Sequence, residues 1–323
     1  GASVTILGIM SAKTMNRAGY DVQLAAGTIT AGGTLGILIP PSIMLVVMGP
    51  ILNVPVTDLF AAAIMPGLML AALYTGYTLI RCHLNPSLGP VVPEDLIPDS
   101  MREVWIEFFK GLVPPVLLVG SSLGSILAGL ATPTEGAAMG AVGAIFLTLA
   151  YRKLNFKVFQ EALLKTLEIT TLIMILVCAS NFFGSVFSRL GTPTMITEAL
   201  MLLDLPPTAI LLIVMALIFL LAWPLEWVPI VLIIIPIVLP LIEQLGFNLI
   251  WFGILVAVNL QTAWLSPPVA LSAYFLKGVA PDWDLSDIYK GMMQFMAIQV
   301  VGLALIIIFP QIVLWLPTYL YGN

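Results

Sequence analysis

The sequence predicts an all-α membrane protein made of two copies of one unit that cross the bilayer in opposite senses. Three observations lead there. Of 323 residues, 60% are hydrophobic and only 9% charged, whereas a soluble domain carries about a quarter of its residues charged. Several windows stay apolar for the roughly 20 residues a helix needs to cross a hydrocarbon core, and they do not alternate as barrel strands do. One segment, "GTLGILIPPS" at 33–42, is loosened by glycine, stopped by two prolines, and has a counterpart, "LQTAWLSPPV", late in the chain.

In chain order, residues 1–15 form an apolar run that ends in the turn Gly19-Tyr20-Asp21, and the first interrupted segment follows. The clearest continuous spans are 59–80, 111–131, 136–150 with its flanks, 169–187 and 292–316. Thr132-Pro133-Thr134-Glu135 reads as a capping box with proline at the first helical position, so a helix should open there. The stretch 83–99, with Pro86, Pro90, Pro93 and Pro98, reads as a linker, which divides the chain into a first-repeat remainder, 1–103, and a second repeat, 104–323.

The repeat is explicit. Laying Gly19-Tyr20-Asp21 on Gly246-Phe247-Asn248 sets an offset of 227 residues, and the same offset carries Pro40-Pro41 onto Pro267-Pro268. With two residues of slack, Val56-Thr57-Asp58-Leu59-Phe60 falls on Leu285-Ser286-Asp287-Ile288-Tyr289. Lys and Arg near helix ends are retained on the cytoplasmic side. A threading that alternates sides with each crossing keeps all but Arg189 of the 12 basic residues inside. The Gly19 turn is then cytoplasmic and the Gly246 turn external, which makes the repeat an inverted one.

Interruptions at membrane depth need partners for their backbone groups. Glycine relaxes the chain and proline removes a donor, so Gly32-Gly33-Thr34-Leu35-Gly36 before Pro40-Pro41 should unwind and leave carbonyls facing protein, water or an ion rather than lipid. Those carbonyls, with the hydroxyls of Thr34 and Ser42, would suit a small hard cation, while amides at half-helix starts suit an anion. The second copy offers Asn259, Gln261, Thr262 and Ser266. The plainer reading is a proline kink that shapes packing, with Ser and Thr bonded back to their own helix.

The runs 208–223 and 228–242, joined by Pro224-Leu225-Glu226-Trp227, are together too long for one crossing, and each is too short alone. A re-entrant hairpin with Glu226 at its tip fits, as do two tilted spans. Glu226 is either a functional acid at depth or an interfacial residue between Trp223 and Trp227. Residues 1–15 would be the outgoing arm of a matching hairpin with its tip near Gly1-Ala2-Ser3. The missing ingoing arm and the absent initiator Met suggest a truncated product.

The composition also excludes. Cys82 and Cys178 lie far apart, His83 is alone, and no nucleophile or metal-hydrolase motif occurs, so the chain is not expected to be an enzyme. The net charge of −5 sits in short loops and implies no nucleic-acid partner.

The motifs "GTLGILIPPSI", "GLATPTEGAAMGA" and "NLQTAWLSPPVA…LKGVAP" stand in the order found in a known family. Through essentially its whole length the chain resembles the large membrane subunit, of the DctM type, of tripartite ATP-independent periplasmic (TRAP) transporters. That resemblance implies an elevator-type secondary transporter in the bacterial inner membrane, a sodium symporter of organic acids such as dicarboxylates. It implies two partners, a small four-helix membrane subunit and a periplasmic substrate-binding protein, and no cofactor beyond sodium as coupling ion. By similarity, sodium would lie at Ser3, Gly33, Thr34, Gly36 and Ser42 in the first half, and at Asn259, Thr262, Ala263, Ser266 and Val269 in the second. Glu226, Pro40, Pro41, Pro267 and Pro268 would shape substrate binding and gating. Ala263 stands where many members have glycine and Val269 offers only a carbonyl, changes that backbone ligands tolerate. The alternatives are a carrier of the same architecture that needs no binding protein, and a channel or structural membrane subunit.

Overall fold

A computed structural model describes residues 2–91, 100–267 and 270–322. Among the described residues there are helices and no strands. In chain order the helices are α1 (Ala2–Arg17), α2 (Val22–Leu38), α3 (Ile43–Leu52), α4 (Val56–Leu84), α5 (Met101–Leu127), α6 (Pro133–Ala150), α7 (Phe156–Arg189), α8 (Thr192–Met201) and α9 (Pro207–Leu221). There follow α10 (Trp227–Pro229), a π-helical turn at Ile230–Ile234, α11 (Ile235–Gln244), α12 (Leu249–Trp264), α13 (Leu271–Val279), α14 (Leu285–Ile308) and α15 (Gln311–Tyr321). Among the described residues six helical stretches are long and apolar enough to cross a membrane, or seven if the bent pair α2 and α3 is one span.

Two compact units result. One comprises Gly1–Val91 with Ser180–Asn323, the other Val92–Ala179. This division follows packing and so cuts across the repeat boundary in the sequence. In the smaller unit, α6 opens on the expected capping box: the Thr132 hydroxyl accepts from the Glu135 amide, and the Glu135 carboxylate accepts from the Thr132 amide at 2.8 Å. The Ser122 hydroxyl of α5 donates to the Gly136 carbonyl of α6 at 2.6 Å, tying the two helices.

The larger unit shows the inversion directly. Asp21 and Asn248, equivalent by the 227-residue offset, both cap helices. Asp21 accepts from the Leu24 amide at 2.9 Å, and Asn248 accepts from the Ile250 and Trp251 amides at 2.9 and 3.1 Å. The first turns of α2 and α14 lie together, with Gln23 donating to Asp287 at 3.1 Å, and Gly27 meets Gly291 one turn on, so these helices run parallel. By contrast α12 is antiparallel to α14: the Trp251 indole donates to the Ile306 carbonyl, whereas Gln299 donates to Val258. Hence α2 and its equivalent α12 point in opposite directions. The pairs Tyr77–Gln294 and Tyr74–Gln299 make α4 antiparallel to its equivalent α14 as well.

Glycine permits the closest of these approaches. A side-chain carbon at Gly291 would fall 2.0 Å from the Gln23 carbonyl oxygen, so backbones touch where α2 and α14 cross.

Three expectations change. The run 292–316 is two helices, because the chain breaks at Phe309-Pro310, and α15 packs against α4. The arm expected at 228–242 extends over Trp227–Gln244, 18 residues, long and apolar enough by itself to cross. And α2 stays helical through Gly32–Gly36, because glycine weakens a helix by only about 1 kcal/mol, which burial against α1 and α14 offsets.

Candidate functional site

The first interruption is confined to Ile39–Ser42, where α2 and α3 meet at 43°. Proline chemistry sets its position. Pro40 has no N–H to offer the Gly36 carbonyl and Pro41 none for Ile37, so the helical ladder loses two rungs in succession. The Ser42 hydroxyl donates to the Ile37 carbonyl and accepts from the Leu45 amide, ending one helix and capping the next.

The start of α1 closes over this region. Val4 packs on Gly33 so tightly that a side-chain carbon there would lie 2.4 Å from it, and one at Gly36 would lie 2.9 Å from the Ser3 hydroxyl oxygen. Ser3 thus lies against Gly36 and its neighbour Val4 against Gly33, just before the break. Thr34 is buried in the same turn, its hydroxyl donating to the Ala31 carbonyl at 2.7 Å.

The second interruption follows α12. Leu265 donates to the Thr262 carbonyl and Ser266 to the Ala263 carbonyl, tightening the helix end before Pro267. Asn259, Thr262, Ala263 and Ser266 are all buried. Asn259 donates to the Met215 carbonyl at 2.8 Å, fastening α12 to α9, the first arm of the hairpin. The hydroxyls of Thr262 and Ser266 donate to Val258 and Thr262 at 3.1 and 2.9 Å. Pro268 and Val269 lie outside the described residues.

Thus Thr34, Thr262 and Ser266 do bond back to their own helices. A hydroxyl whose hydrogen is committed to a carbonyl turns its lone pairs elsewhere. Ser42 is different: its oxygen already accepts a backbone amide, so it serves the fold of the break first.

The two interruptions meet. The Gln261 side chain donates to the Thr34 carbonyl at 3.0 Å, and these residues are separated by 227, the repeat offset itself. Equivalent positions touch only where a pseudo-twofold axis passes, so the axis runs between Thr34 and Gln261. Ile37, Met44, Trp227, Leu260, Gln261 and Trp264 line one narrow cleft there, which puts the hairpin tip beside both breaks. Glu226 stands at that tip, just before α10, with its side chain exposed and making no capping hydrogen bond. It does not join the buried polar residues of either break.

Sequence reasoning overlooked Gln299. It donates to Gln261 at 2.9 Å and to the Val258 carbonyl at 3.1 Å, and accepts from the Tyr74 hydroxyl at 3.0 Å. Its signal was present: an amide inside a long apolar run must find partners. Among the described residues no group of three or more His, Cys, Asp or Glu converges, so hydroxyl, amide and carbonyl oxygens are the donors at the breaks.

An inverted-repeat membrane transporter with interrupted helices meeting at its axis is the class these features define. The chain belongs to the DctM component family of the tripartite ATP-independent periplasmic transporters, whose family model matches residues 1–312. It is 30% identical over 322 residues to the C4-dicarboxylate TRAP transporter large permease protein DctM of Pseudomonas aeruginosa, covering 99% of this chain and 73% of that protein. It is 28% identical to the sialic acid TRAP transporter large permease protein SiaM of Vibrio cholerae, covering 98% and 72%. It is also 26% identical to the sialic acid TRAP transporter permease protein SiaT of Haemophilus influenzae, over 97% of this chain and 50% of that one. These relatives are permeases, not enzymes, and the chain is accordingly a multi-pass protein of the bacterial inner membrane.

Proposed function

We propose that the chain is the permease of a sodium-coupled, binding-protein-dependent importer of organic acids. The observation that carries this is the contact between Thr34 and Gln261, which sets two interrupted, oppositely directed helices side by side with neutral oxygens buried around them. Oxygen donors without carboxylates suit a monovalent cation, which brings too little charge to need formal neutralisation. Sodium would bind between Ser3, Gly33, Thr34 and Gly36 on one side, and among Asn259, Thr262, Ala263 and Ser266 on the other. Among the described residues no buried Lys or Arg stands at the breaks, so amides at the half-helix starts would receive the substrate carboxylate.

The relatives' names support the substrate class. C4-dicarboxylates and sialic acid are named for them, and both are organic acids. In this reading a small membrane subunit flanks the permease and a soluble periplasmic protein delivers the substrate. The two repeats' broken helices and hairpins then move as one body.

Proteoliposomes holding the permease with its small subunit test this. Uptake of a carboxylate delivered by the cognate binding protein should saturate, need an inward sodium gradient, and stop when the binding protein is omitted. Conduction without either requirement would indicate a pore, and uptake without the binding protein would indicate a carrier of the neighbouring kind.

A further inference from the structure

We infer that Gln261 and Gln299 form a coupling clamp, which makes the occupancy of one ion site felt at the other. This rests on the reading above that sodium binds at both breaks. Neither glutamine belongs to either proposed ion site.

The geometry is a single buried chain of hydrogen bonds crossing four helices. The Tyr74 hydroxyl of α4 donates to the Gln299 carbonyl oxygen of α14, the Gln299 amide donates to the Gln261 carbonyl oxygen of α12, and the Gln261 amide donates to the Thr34 carbonyl of α2. The distances are 3.0, 2.9 and 3.0 Å in that order. Gln299 and Thr34 are wholly buried, and Gln261 and Tyr74 nearly so. Each link uses the donor of one group and the acceptor of the next, so the direction of the chain is fixed and the links polarise one another.

The chain lies close to the pseudo-twofold axis and yet is asymmetric. Its two amides both come from the second copy, while at the position equivalent to Gln261 the first copy presents Thr34, by its backbone. The Thr34 carbonyl sits in the turn proposed to hold one ion and already accepts the Leu38 amide along α2 as well as the Gln261 amide, so an ion there competes with Gln261, which is itself next to Thr262 in the turn proposed to hold the other ion. An ion that draws on the Thr34 oxygen therefore alters its bond to Gln261, and so shifts α12. Gln299 acts as a positioning residue, because its two donors, to Gln261 and to the Val258 carbonyl, fix where Gln261 points.

The test is the sodium dependence of uptake by the complete transporter in proteoliposomes, for the wild type, Gln261→Met, Gln299→Met and Tyr74→Phe. Wild-type uptake should rise cooperatively with sodium. Gln261→Met and Gln299→Met should each bring the Hill coefficient close to one and raise half-saturating sodium by about tenfold, the effect of losing one buried hydrogen-bonded partner, with maximal rate largely kept. Tyr74→Phe, the outermost and most conservative change, should shift half-saturation in the same direction by less. It also covers the case in which a methionine variant does not fold.

A clamp that only stabilises the fold would lower the amount of active protein and leave cooperativity unchanged in all three variants, and that result overturns the inference. A wild type that is sodium-driven but non-cooperative overturns it too. A wild type indifferent to sodium would instead remove the proposed function on which it rests.

Discussion

At the scale of single residues, the hydroxyls at the breaks carry the sharpest expectations. Thr34→Val keeps shape and removes one oxygen; Ser266→Ala removes another. Each should raise the sodium concentration for half-maximal uptake by about tenfold, since an oxygen bonded to a charged partner contributes roughly 1.5–3 kcal/mol. Expression and thermal stability should change little, because the bond lost at Thr34 runs only to its own helix, and Ser266 gives up, besides its own-helix bond, only a contact with the weakly accepting Met296 sulfur. Sodium titrations of uptake, set against the amount of reconstituted protein, read this directly. The place of the first break was legible in the sequence, since paired prolines dictate where a helical ladder must fail. The clamp was not. A glutamine in an apolar run says that it has a partner, but only folding chooses Thr34 for Gln261 and Tyr74 for Gln299.

At the scale of elements, the crossing of α2 and α14 depends on backbone contact rather than side-chain fit. Gly291→Ala would drive a methyl into the Gln23 carbonyl oxygen, 2.0 Å away, where the obstacle is backbone and cannot swing aside. A loss of about 1–3 kcal/mol is expected, seen as a lower unfolding midpoint of the purified complex. Gly76→Ala, in α4 with open space around it, should be neutral or stabilise by up to about 1 kcal/mol. Equal effects of the two would contradict the packing described.

The hairpin is held differently. Asn259→Leu removes its bond to Met215, so limited proteolysis between α9 and α11 should quicken several-fold while cleavage of the α5–α6 pair is unaltered.

Apolar length identified most of these helices, and the capping box fixed the start of α6 to the residue. They failed where two effects compete. Glycine in α2 lost to packing, so the helix persists to Leu38, and Pro310 ended a hydrophobic run that hydropathy alone would extend to 316.

For the molecule as a whole, the inverted arrangement was readable because a duplicated order of turn, break and helix is preserved at a nearly constant offset, and basic residues report sidedness. What the sequence could not give is that the repeat offset reappears as a physical contact, Thr34 to Gln261, which places the axis between the interrupted helices. This contact supports the central proposal, that coupling ions are held at the two breaks on either side of it. Hydrogen–deuterium exchange of the purified complex, without sodium and with saturating sodium in place of potassium, tests it most directly. Amides of 33–42 and 259–266 should slow together by about tenfold or more, while those of α5 and α6 keep their rates. Protection confined to other helices, or none at either break, would contradict the account.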